Sequence, residues 1–192
     1  ATSTRATRPH GMPGAGMGTQ AREIAVTYQI PYISTGEIFR SFAEMGSPIG
    51  LEVKTFMDMG KLVPDRLVNK LLWDRMGEDD MKEGFILDGY PRTRQQAEAL
   101  EAYLESKRLS LDVVLYLAVG KEVLRKRLEK RIDLPWSEDK SEVIERRLQV
   151  SELEMEALTG FYQEAGIVSM VNGEQKPDIV FEKIQEVLQF HS

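Results

Sequence analysis

Residues 11–20 read Gly-Met-Pro-Gly-Ala-Gly-Met-Gly-Thr-Gln and place four glycines directly before a segment with helical periodicity. Glycine adopts positive φ angles and lets backbone N–H groups approach an anion, while the N-terminus of a helix adds partial positive charge. Gly11 and Gly16 match the two fixed glycines of a P-loop, Gly-x-x-x-x-Gly-Lys-[Ser/Thr]. Met17 occupies the position of the lysine, and its side chain carries neither a charge nor an N–H donor. The stretch therefore predicts a phosphate-binding loop that lacks its usual cation.

Residues 1–10 precede this loop, where a P-loop fold has a buried strand, yet they contain no Val, Ile, Leu or Phe. Pro9 lacks a donor for a strand ladder, and Arg5 and Arg8 would need partners if they were buried. We therefore predict that this segment fails as a central strand. Two alternatives stay open: an altered or foreign leader, or a strand carried by threonines alone.

Strand and helix patterns alternate beyond the loop. Short apolar runs predict strands over 30–36, 84–89, 111–117 and 167–171, and amphipathic patterns predict helices over 19–28, 37–45, 51–59, 65–75, 94–106, 119–131, 141–164 and 178–190, with Gly60 ending the third helix. Strands that alternate with helices indicate an α/β fold: a P-loop-type parallel sheet with helices on both faces. Ligands of such sheets bind beyond the carboxyl ends of the strands, where the glycine loop, residues 34–36 and residues 88–89 would meet.

Composition narrows the class of protein. A chain of 192 residues with 42% hydrophobic content is long enough for one domain with a substantial core. The net charge of -6 argues against non-specific binding of nucleic acid, and we expect a nucleotide ligand instead. The absence of cysteine excludes disulfides and thiolate metal sites. Because the chain has no run approaching 18 apolar residues and no signal-peptide segment, we expect a cytoplasmic protein that does not enter a membrane.

Charged residues at the predicted strand ends and on the later helices are candidates for chemistry. Asp88 closes an apolar strand, where an acid could hold Mg²⁺ directly or through water; an Asp there can equally begin a turn. Arg92 follows, and its planar guanidinium is suited to phosphate oxygens. Arg127 and Arg131 share one helix face, and Arg146 and Arg147 form a second cluster. Arginines that converge on one edge of the sheet would stabilise phosphoryl transfer.

Four motifs follow one another along the chain: Gly14-Ala15-Gly16-x-Gly18-Thr19-Gln20, Ile33-Ser34-Thr35-Gly36-Glu37-Ile38-Phe39-Arg40, Gly60-Lys61-Leu62-Val63-Pro64-Asp65 and Phe85-Ile86-Leu87-Asp88-Gly89-Tyr90-Pro91-Arg92-Thr93. In order and spacing they resemble bacterial-type adenylate kinases, within the nucleoside monophosphate kinase family. The resemblance runs from about Gly11 to the C-terminus.

This resemblance implies reversible transfer of the γ-phosphoryl group from Mg-ATP to AMP, giving two ADP. It implies Mg²⁺ as cofactor and a single domain, which we expect to be a monomer, divided into a core (1–33, 64–129 and 140–192), a helical AMP-binding region (34–63) and a short lid (about 130–139). A lid without cysteine excludes a zinc-bearing lid. A closing lid would expel water that could otherwise accept the phosphoryl group.

The resemblance also assigns residues to the two nucleotides. On the ATP side it implies Gly14, Ala15, Gly16, Met17, Gly18, Thr19, Arg127, Arg131 and Gln175. On the AMP side it implies Thr35, Arg40, Lys61, Leu62, Val63, Gly89, Tyr90, Pro91, Arg92, Gln96 and Arg147. Arg127 would pack on the ATP adenine, Asp88, Arg92, Arg131 and Arg147 would serve the transfer itself, and Thr35 favours AMP over UMP or CMP.

Three features depart from the family pattern. Met17 replaces the phosphate-binding lysine, and the polar leader replaces the first core strand. In the lid, Trp136 stands where the family usually has an arginine, and Glu138 replaces the first of two expected aspartates. Losing one preorganised contact to developing charge costs on the order of 10²- to 10³-fold in rate. Three hypotheses therefore stay open: an adenylate kinase of reduced rate, a nucleotide-binding module without useful catalysis, and a UMP/CMP kinase.

Overall fold

The computed structural model describes residues 5–11, 15–59, 61–131 and 138–190. One or more helices separate each strand from the next along these residues. The strands are β1 (Arg5–Gly11), β2 (Tyr32–Ser34), β3 (Gly84–Asp88), β4 (Val113–Ala118) and β5 (Val168–Asn172). The α-helices are α1 (Met17–Tyr28), α2 (Thr35–Met45), α3 (Pro48–Asp58), α4 (Asp65–Met76), α5 (Arg94–Ser106), α6 (Lys121–Arg131), α7 (Glu138–Glu164) and α8 (Pro177–Phe190), and a 3₁₀ turn covers Asp79–Glu83.

The five strands form one parallel sheet in the order β2-β3-β1-β4-β5. Parallel neighbours need crossover connections, and the helices between successive strands supply them. The predicted α/β fold is thereby confirmed. All five strands run the same way, so the segments that follow them emerge at one edge of the sheet, as a ligand site at that edge requires.

The prediction that residues 1–10 cannot supply a central strand is wrong. β1 lies between β3 and β4 and pairs with both, with Thr7 aligned to Ile86 on one side and to Val113 on the other. Backbone groups make these pairings, and the flanking strands β3 and β4 are themselves strongly apolar and buried. Pro9 still offers its carbonyl group to the ladder. Of the two alternatives, the structure shows the second: residues 5–11 form a strand.

Three buried core clusters cover the sheet, and the two largest lie on its opposite faces at β3. β3 shows how one strand serves both, because Phe85 and Leu87 join one cluster while Ile86, between them, joins the other. This is the alternation expected of a strand buried on both faces. The first cluster takes the apolar sides of α1, α6 and α8, and the second takes those of α4 and α5, where Leu71 and Leu100 are almost fully buried.

Local caps determine where several helices begin. The hydroxyl of Ser34 accepts a hydrogen bond from the N–H of Glu37 and opens α2 two residues before the predicted start. Ser47 caps α3 in the same way, with Pro48 at its first position. α7 also begins earlier than predicted, at Glu138. Gly60 and the residues 132–137 of the predicted lid, Trp136 among them, lie outside the described residues.

Helices α2 and α3 cross at very close range. A Cβ atom placed on Gly50 would lie 1.9 Å from the backbone oxygen of Phe42. Only a residue without a side chain permits that approach. The packing of the predicted AMP-binding region therefore depends on this glycine.

Candidate functional site

The phosphate loop ends at the first turn of α1. Gly16 immediately precedes the helix with φ 90°, a left-handed conformation that favours glycine. No side chain caps α1 in the described part of the chain, and its first turn contains no acidic residue. The N–H groups of this turn are therefore suited to an anion. Gly18 and Thr19 lie in this turn and are exposed, whereas Gly14 lies outside the described residues.

Met17 is the first residue of α1, but its side chain belongs to the core. It is 9% exposed and is part of the cluster that also contains Ala21, Ile24 and Leu124. A flexible thioether suits such a place, whereas the ammonium group of a lysine would have to leave it. The structure thus gives Met17 a packing role that the sequence motif alone did not indicate.

Arg127 lies between the phosphate loop and the loop that follows β5. Its Nη1 donates to the backbone oxygen of Ala15 (3.3 Å) and its Nη2 to that of Gly173 (3.1 Å). Gly173 is itself tightly packed, because a Cβ atom there would lie 2.7 Å from side-chain carbons of Leu117 and Val119. The half-buried guanidinium therefore joins two loops that are 158 residues apart in sequence, counted from Ala15 to Gly173.

Arg131 and Gln175, predicted for the ATP side, and Arg147, predicted for the AMP side, are exposed. Arg131 lies one turn beyond Arg127 at the end of α6, Arg147 lies on α7, and Gln175 lies in the loop after β5. An ion pair joins the two arginine-bearing helices: Arg125 of α6 donates to the carboxylate of Glu145 of α7. Within the described ranges no hydrogen bond connects Arg131 or Arg147 to the phosphate loop.

Asp88 ends β3 and accepts a short hydrogen bond from the hydroxyl of Tyr32 on the neighbouring strand β2. Burial raises the pKa of Tyr32 to about 12, and the hydrogen bond and negative charge of Asp88 act in the same direction. Tyr32 is therefore a protonated donor at neutral pH. Among the described residues the other carboxylate oxygen of Asp88, Oδ1, accepts no hydrogen bond.

The residues predicted to contact AMP begin where β2 passes into α2. Thr35 is the first residue of α2 and is only 4% exposed. Gly89, directly after β3, has φ 82°, and a Cβ atom on it would lie 2.8 Å from Oγ1 of Thr35. The guanidinium of Arg40 packs over Gly36, where Nη1 is 3.4 Å from the position of an added Cβ. Two positions predicted to contact AMP, Thr35 and Gly89, are thus adjacent in space.

The segment 89–92 is held in place by Gln96. Its side-chain oxygen accepts from the N–H of Arg92 (2.8 Å), and its side-chain nitrogen donates to Oδ1 of Asp65 (2.8 Å). The side chain of Arg92 turns back through Nε to the backbone oxygen of Gly89 (3.2 Å). The resemblance assigned Gln96 to the AMP side, and here its amide also links helix α4 to the segment that carries Arg92.

Tyr90 anchors the same segment to the core. Its hydroxyl lies within hydrogen-bonding distance of Oδ1 of Asn69 (2.6 Å) and of the backbone oxygen of Gln96 (3.2 Å), and burial raises its pKa above the usual value. The Tyr90–Pro91 peptide bond is cis, and both residues are buried. Arg92 is exposed next to them, so a rigid segment presents its guanidinium to solvent.

The connector after α3 supplies the remaining predicted AMP-side residues. Lys61 and Leu62 are exposed, and Val63 is buried in the second core cluster. The N–H of Lys61 donates to the backbone oxygen of Phe56 (2.9 Å), which fixes the connector against α3.

Three residues that support the site were not singled out from the sequence: Tyr32, Asp65 and Gln20. Gln20 is 4% exposed and donates from Nε2 to the backbone oxygen of Pro177 (3.0 Å), joining α1 to α8. The available signal for Gln20 was its position among the apolar residues on the buried side of α1. Asp65 lies in one of the four motifs, but its partner Gln96 is 31 residues away, and Tyr32 carried no signal, because Asp88 is 56 residues away.

Three features meet at one edge of the parallel sheet. They are the glycine loop that leads into α1, Asp88 at the end of β3, and the segment after β3 that carries Arg92. This arrangement defines a nucleotide-binding phosphotransferase of the P-loop type. Searching the described ranges reveals no cluster of three or more His, Cys, Asp or Glu able to hold a metal ion. None of the helices there is long and apolar enough to cross a membrane.

The sequence profile of the adenylate kinase family matches residues 10–167. The chain therefore belongs to the adenylate kinase family, whose members are ATP:AMP phosphotransferases.

Individual relatives agree with the family match. Adenylate kinases of Listeria innocua (40% identical), Methanosarcina mazei (39%) and a Geobacillus strain (37%) each align with 93% of this chain and with 95–96% of their own length. These alignments extend over 205–206 positions, more than the 192 residues of the chain, so the relatives contain segments that this chain lacks.

Proposed function

We propose that this chain transfers the γ-phosphoryl group of Mg-ATP to AMP, reversibly, giving two ADP. The observation that carries the proposal is that the turn entering α1 and the contact of Gly89 with Thr35 and Arg92 both follow strands of one parallel sheet, in a chain of the adenylate kinase family. Direct transfer between two nucleotides requires both to be held at one edge with their phosphates in line.

On the donor side, the N–H groups of the first turn of α1 would bind the phosphates of ATP. Arg127 would pack against the adenine, because its guanidinium lies between the phosphate loop and the loop that carries Gln175. A guanidinium stacks well on a flat aromatic ring. Arg131 and Arg147, exposed on α6 and α7, would add positive charge around the phosphates.

On the acceptor side, Thr35 and Gly89 would contact AMP at the point where they approach each other. Arg40 and Arg92 would bind its phosphate, because each guanidinium has N–H donors that make no hydrogen bond with the described residues. The connector 61–63 would line the adenine, with its backbone fixed against α3. Gln96 would contact AMP and also hold the backbone of Arg92.

The chemical step needs no covalent intermediate on the protein. An oxygen of the AMP phosphate attacks the γ-phosphorus of ATP, the bond from that phosphorus to the β,γ-bridging oxygen breaks, and the electron pair remains on the departing ADP. Charge builds up on the transferred group and on that bridging oxygen. The backbone N–H groups of α1 and the arginines would stabilise this charge, since they are positioned before the reaction begins.

Adenylate kinases use Mg²⁺ with ATP, and the residues at this edge fit such an ion. Asp88 offers a carboxylate oxygen, Oδ1, that accepts no hydrogen bond from the described residues, and Mg²⁺ prefers oxygen ligands while keeping several waters. Asp88 would hold the ion directly or through water. The ion neutralises charge on the β- and γ-phosphates. With no cysteine in the sequence, a thiolate zinc site is excluded.

Met17 lowers the rate in this proposal, because the loop has no lysine to meet the β- and γ-phosphates. The proposal further includes a cytoplasmic monomer with the AMP-binding region at 34–63 and a short lid at about 130–139.

The test is a coupled assay of ADP formation with AMP, UMP or CMP as acceptor, on this chain and on Met17→Lys. We expect turnover with AMP by both proteins and faster turnover by the variant. Calorimetric titration with AMP runs in parallel. AMP binding without turnover by either protein would instead identify a nucleotide-binding module, and faster turnover with UMP or CMP would overturn the choice of acceptor.

A further inference from the structure

Tyr32 connects three parts of the site. Its hydroxyl donates to Oδ2 of Asp88, and the guanidinium of Arg22 lies 5.4 Å from the centre of its ring. Arg22 belongs to α1, the helix that follows the phosphate loop, and its Nη2 also contacts Oε1 of Glu37 in the first turn of α2 at 2.8 Å. The half-buried ring of Tyr32 thus lies between the donor helix and the strand end that bears Asp88.

The register of the sheet explains why Tyr32 reaches Asp88. β2 and β3 pair with Ser34 opposite Asp88 and Tyr32 opposite Ile86. Tyr32 is therefore two residues short of the level of Asp88, and the long tyrosine side chain spans that offset and ends in a donor. Ile33, between Tyr32 and Ser34, points into the core and is 2% exposed.

A single donor to one oxygen restricts a carboxylate strongly. Without it, the side chain of Asp88 could rotate about its last torsion, which is a broad rotor. With Oδ2 held by Tyr32, Oδ1 is the oxygen left for a metal-bound water or a metal ion. Outer partners of this kind orient metal ligands, and their loss typically lowers metal affinity about 10- to 100-fold.

We propose that Tyr32 is a positioning residue for Mg-ATP: its hydroxyl fixes the Asp88 carboxylate so that Oδ1 serves the ion bound with the phosphates. The proposal rests on the proposed function for the identity of the nucleotide. Tyr32 touches neither substrate nor metal and acts only through Asp88.

The experiment compares Tyr32→Phe with the unchanged chain. Phenylalanine keeps the ring that packs beside Arg22 and removes only the donor. Mn²⁺ serves as a spectroscopic probe, with its binding to the protein in the presence of ATP followed by electron paramagnetic resonance, and the Mg²⁺ concentration for half-maximal ADP formation is measured separately. We expect Tyr32→Phe to weaken both about tenfold and to leave the KM for AMP unchanged.

Two further variants separate positioning from a structural effect. Tyr103→Phe removes a hydroxyl of α5 that donates to the backbone oxygen of Trp73 in α4, and it should change neither readout. Asp88→Asn should weaken metal binding by itself, and adding Tyr32→Phe to it should have no further effect, because the two changes act through one carboxylate.

The outcomes distinguish this proposal from the proposed function. Metal binding by Tyr32→Phe within twofold of the unchanged chain, or a full additional loss in the Asp88→Asn background, would overturn the role of Tyr32. An unchanged chain that binds Mn²⁺ with ATP but forms no ADP would refute the proposed function alone, and the Mn²⁺ affinities would still decide the role of Tyr32. No binding of Mn²⁺ with ATP at all would overturn both.

Discussion

Met17→Lys should raise the rate of ADP formation by about 10²- to 10³-fold, equivalent to roughly 2.7–4 kcal/mol of transition-state stabilisation. The physical reason is local. The first turn of α1 offers backbone N–H groups and a helix dipole, both only partial charges, while the transferred phosphoryl group carries full negative charge. A lysine at position 17 would add a whole positive charge beside the β- and γ-phosphates.

The same substitution should lower the stability of the protein. Met17 is 9% exposed within a core cluster, and burial of a methionine side chain contributes about 1.5–3 kcal/mol. The lysine stem can retain part of that burial, so about 3 kcal/mol is the upper limit of the loss. Domains of this kind have about 5–15 kcal/mol of stability, so the variant should remain folded at 25 °C with a lower Tm.

The assay couples ADP formation from ATP and AMP to NADH oxidation, with thermal unfolding measured on the same samples. Met17→Leu, which keeps an apolar side chain of similar volume, should match the unchanged chain in both rate and Tm. Met170→Lys adds the same charge at an exposed position on β5 and should leave the rate unchanged. If Met17→Lys is folded and binds ATP but gains less than about threefold in rate, the missing cation does not limit this enzyme and the reasoning fails.

Three further predictions concern packing, positioning and pH. Gly50→Ala should destabilise the protein by about 1–3 kcal/mol in urea unfolding, because the close crossing of α2 and α3 leaves no room for a methyl group. Gly160→Ala, where a methyl group on α7 meets open space, should instead stabilise the protein by about 0.5–1 kcal/mol. Gln96→Leu should raise the KM for AMP several-fold with little change in the KM for ATP, while Gln95→Leu, exposed on the same turn, should change neither; equal effects on both substrates would contradict this. The folded-state pKa of Tyr32, about 12, lies above its ordinary value of 10.0. The stability advantage of the unchanged chain over Tyr32→Phe, measured by urea unfolding at several pH values, should therefore be complete below about pH 10 and disappear as the pH rises to about 12. An advantage that does not change over this range would refute the hydrogen bond between Tyr32 and Asp88.

The adenylate kinase resemblance could be recognised from sequence because its motifs are local. Glycines at fixed spacing, an acid closing an apolar strand and a cap such as Ser34 act within a few residues of one another. The order of strands and helices follows in the same way from hydrophobic periodicity. The first strand was missed because side-chain composition was the only available signal, and β1 is held by backbone pairing with β3 and β4.

The sequence by itself determined the family, the alternating α/β order and the absence of a lysine from the phosphate loop. Only the tertiary structure decided that Met17 is a core residue, that Gln96 links Arg92 to Asp65 and that Tyr32 holds Asp88. Motifs record which residues follow one another along the chain. These three contacts join residues that meet only after the sheet and its helices have packed, so no pattern along the chain indicates them.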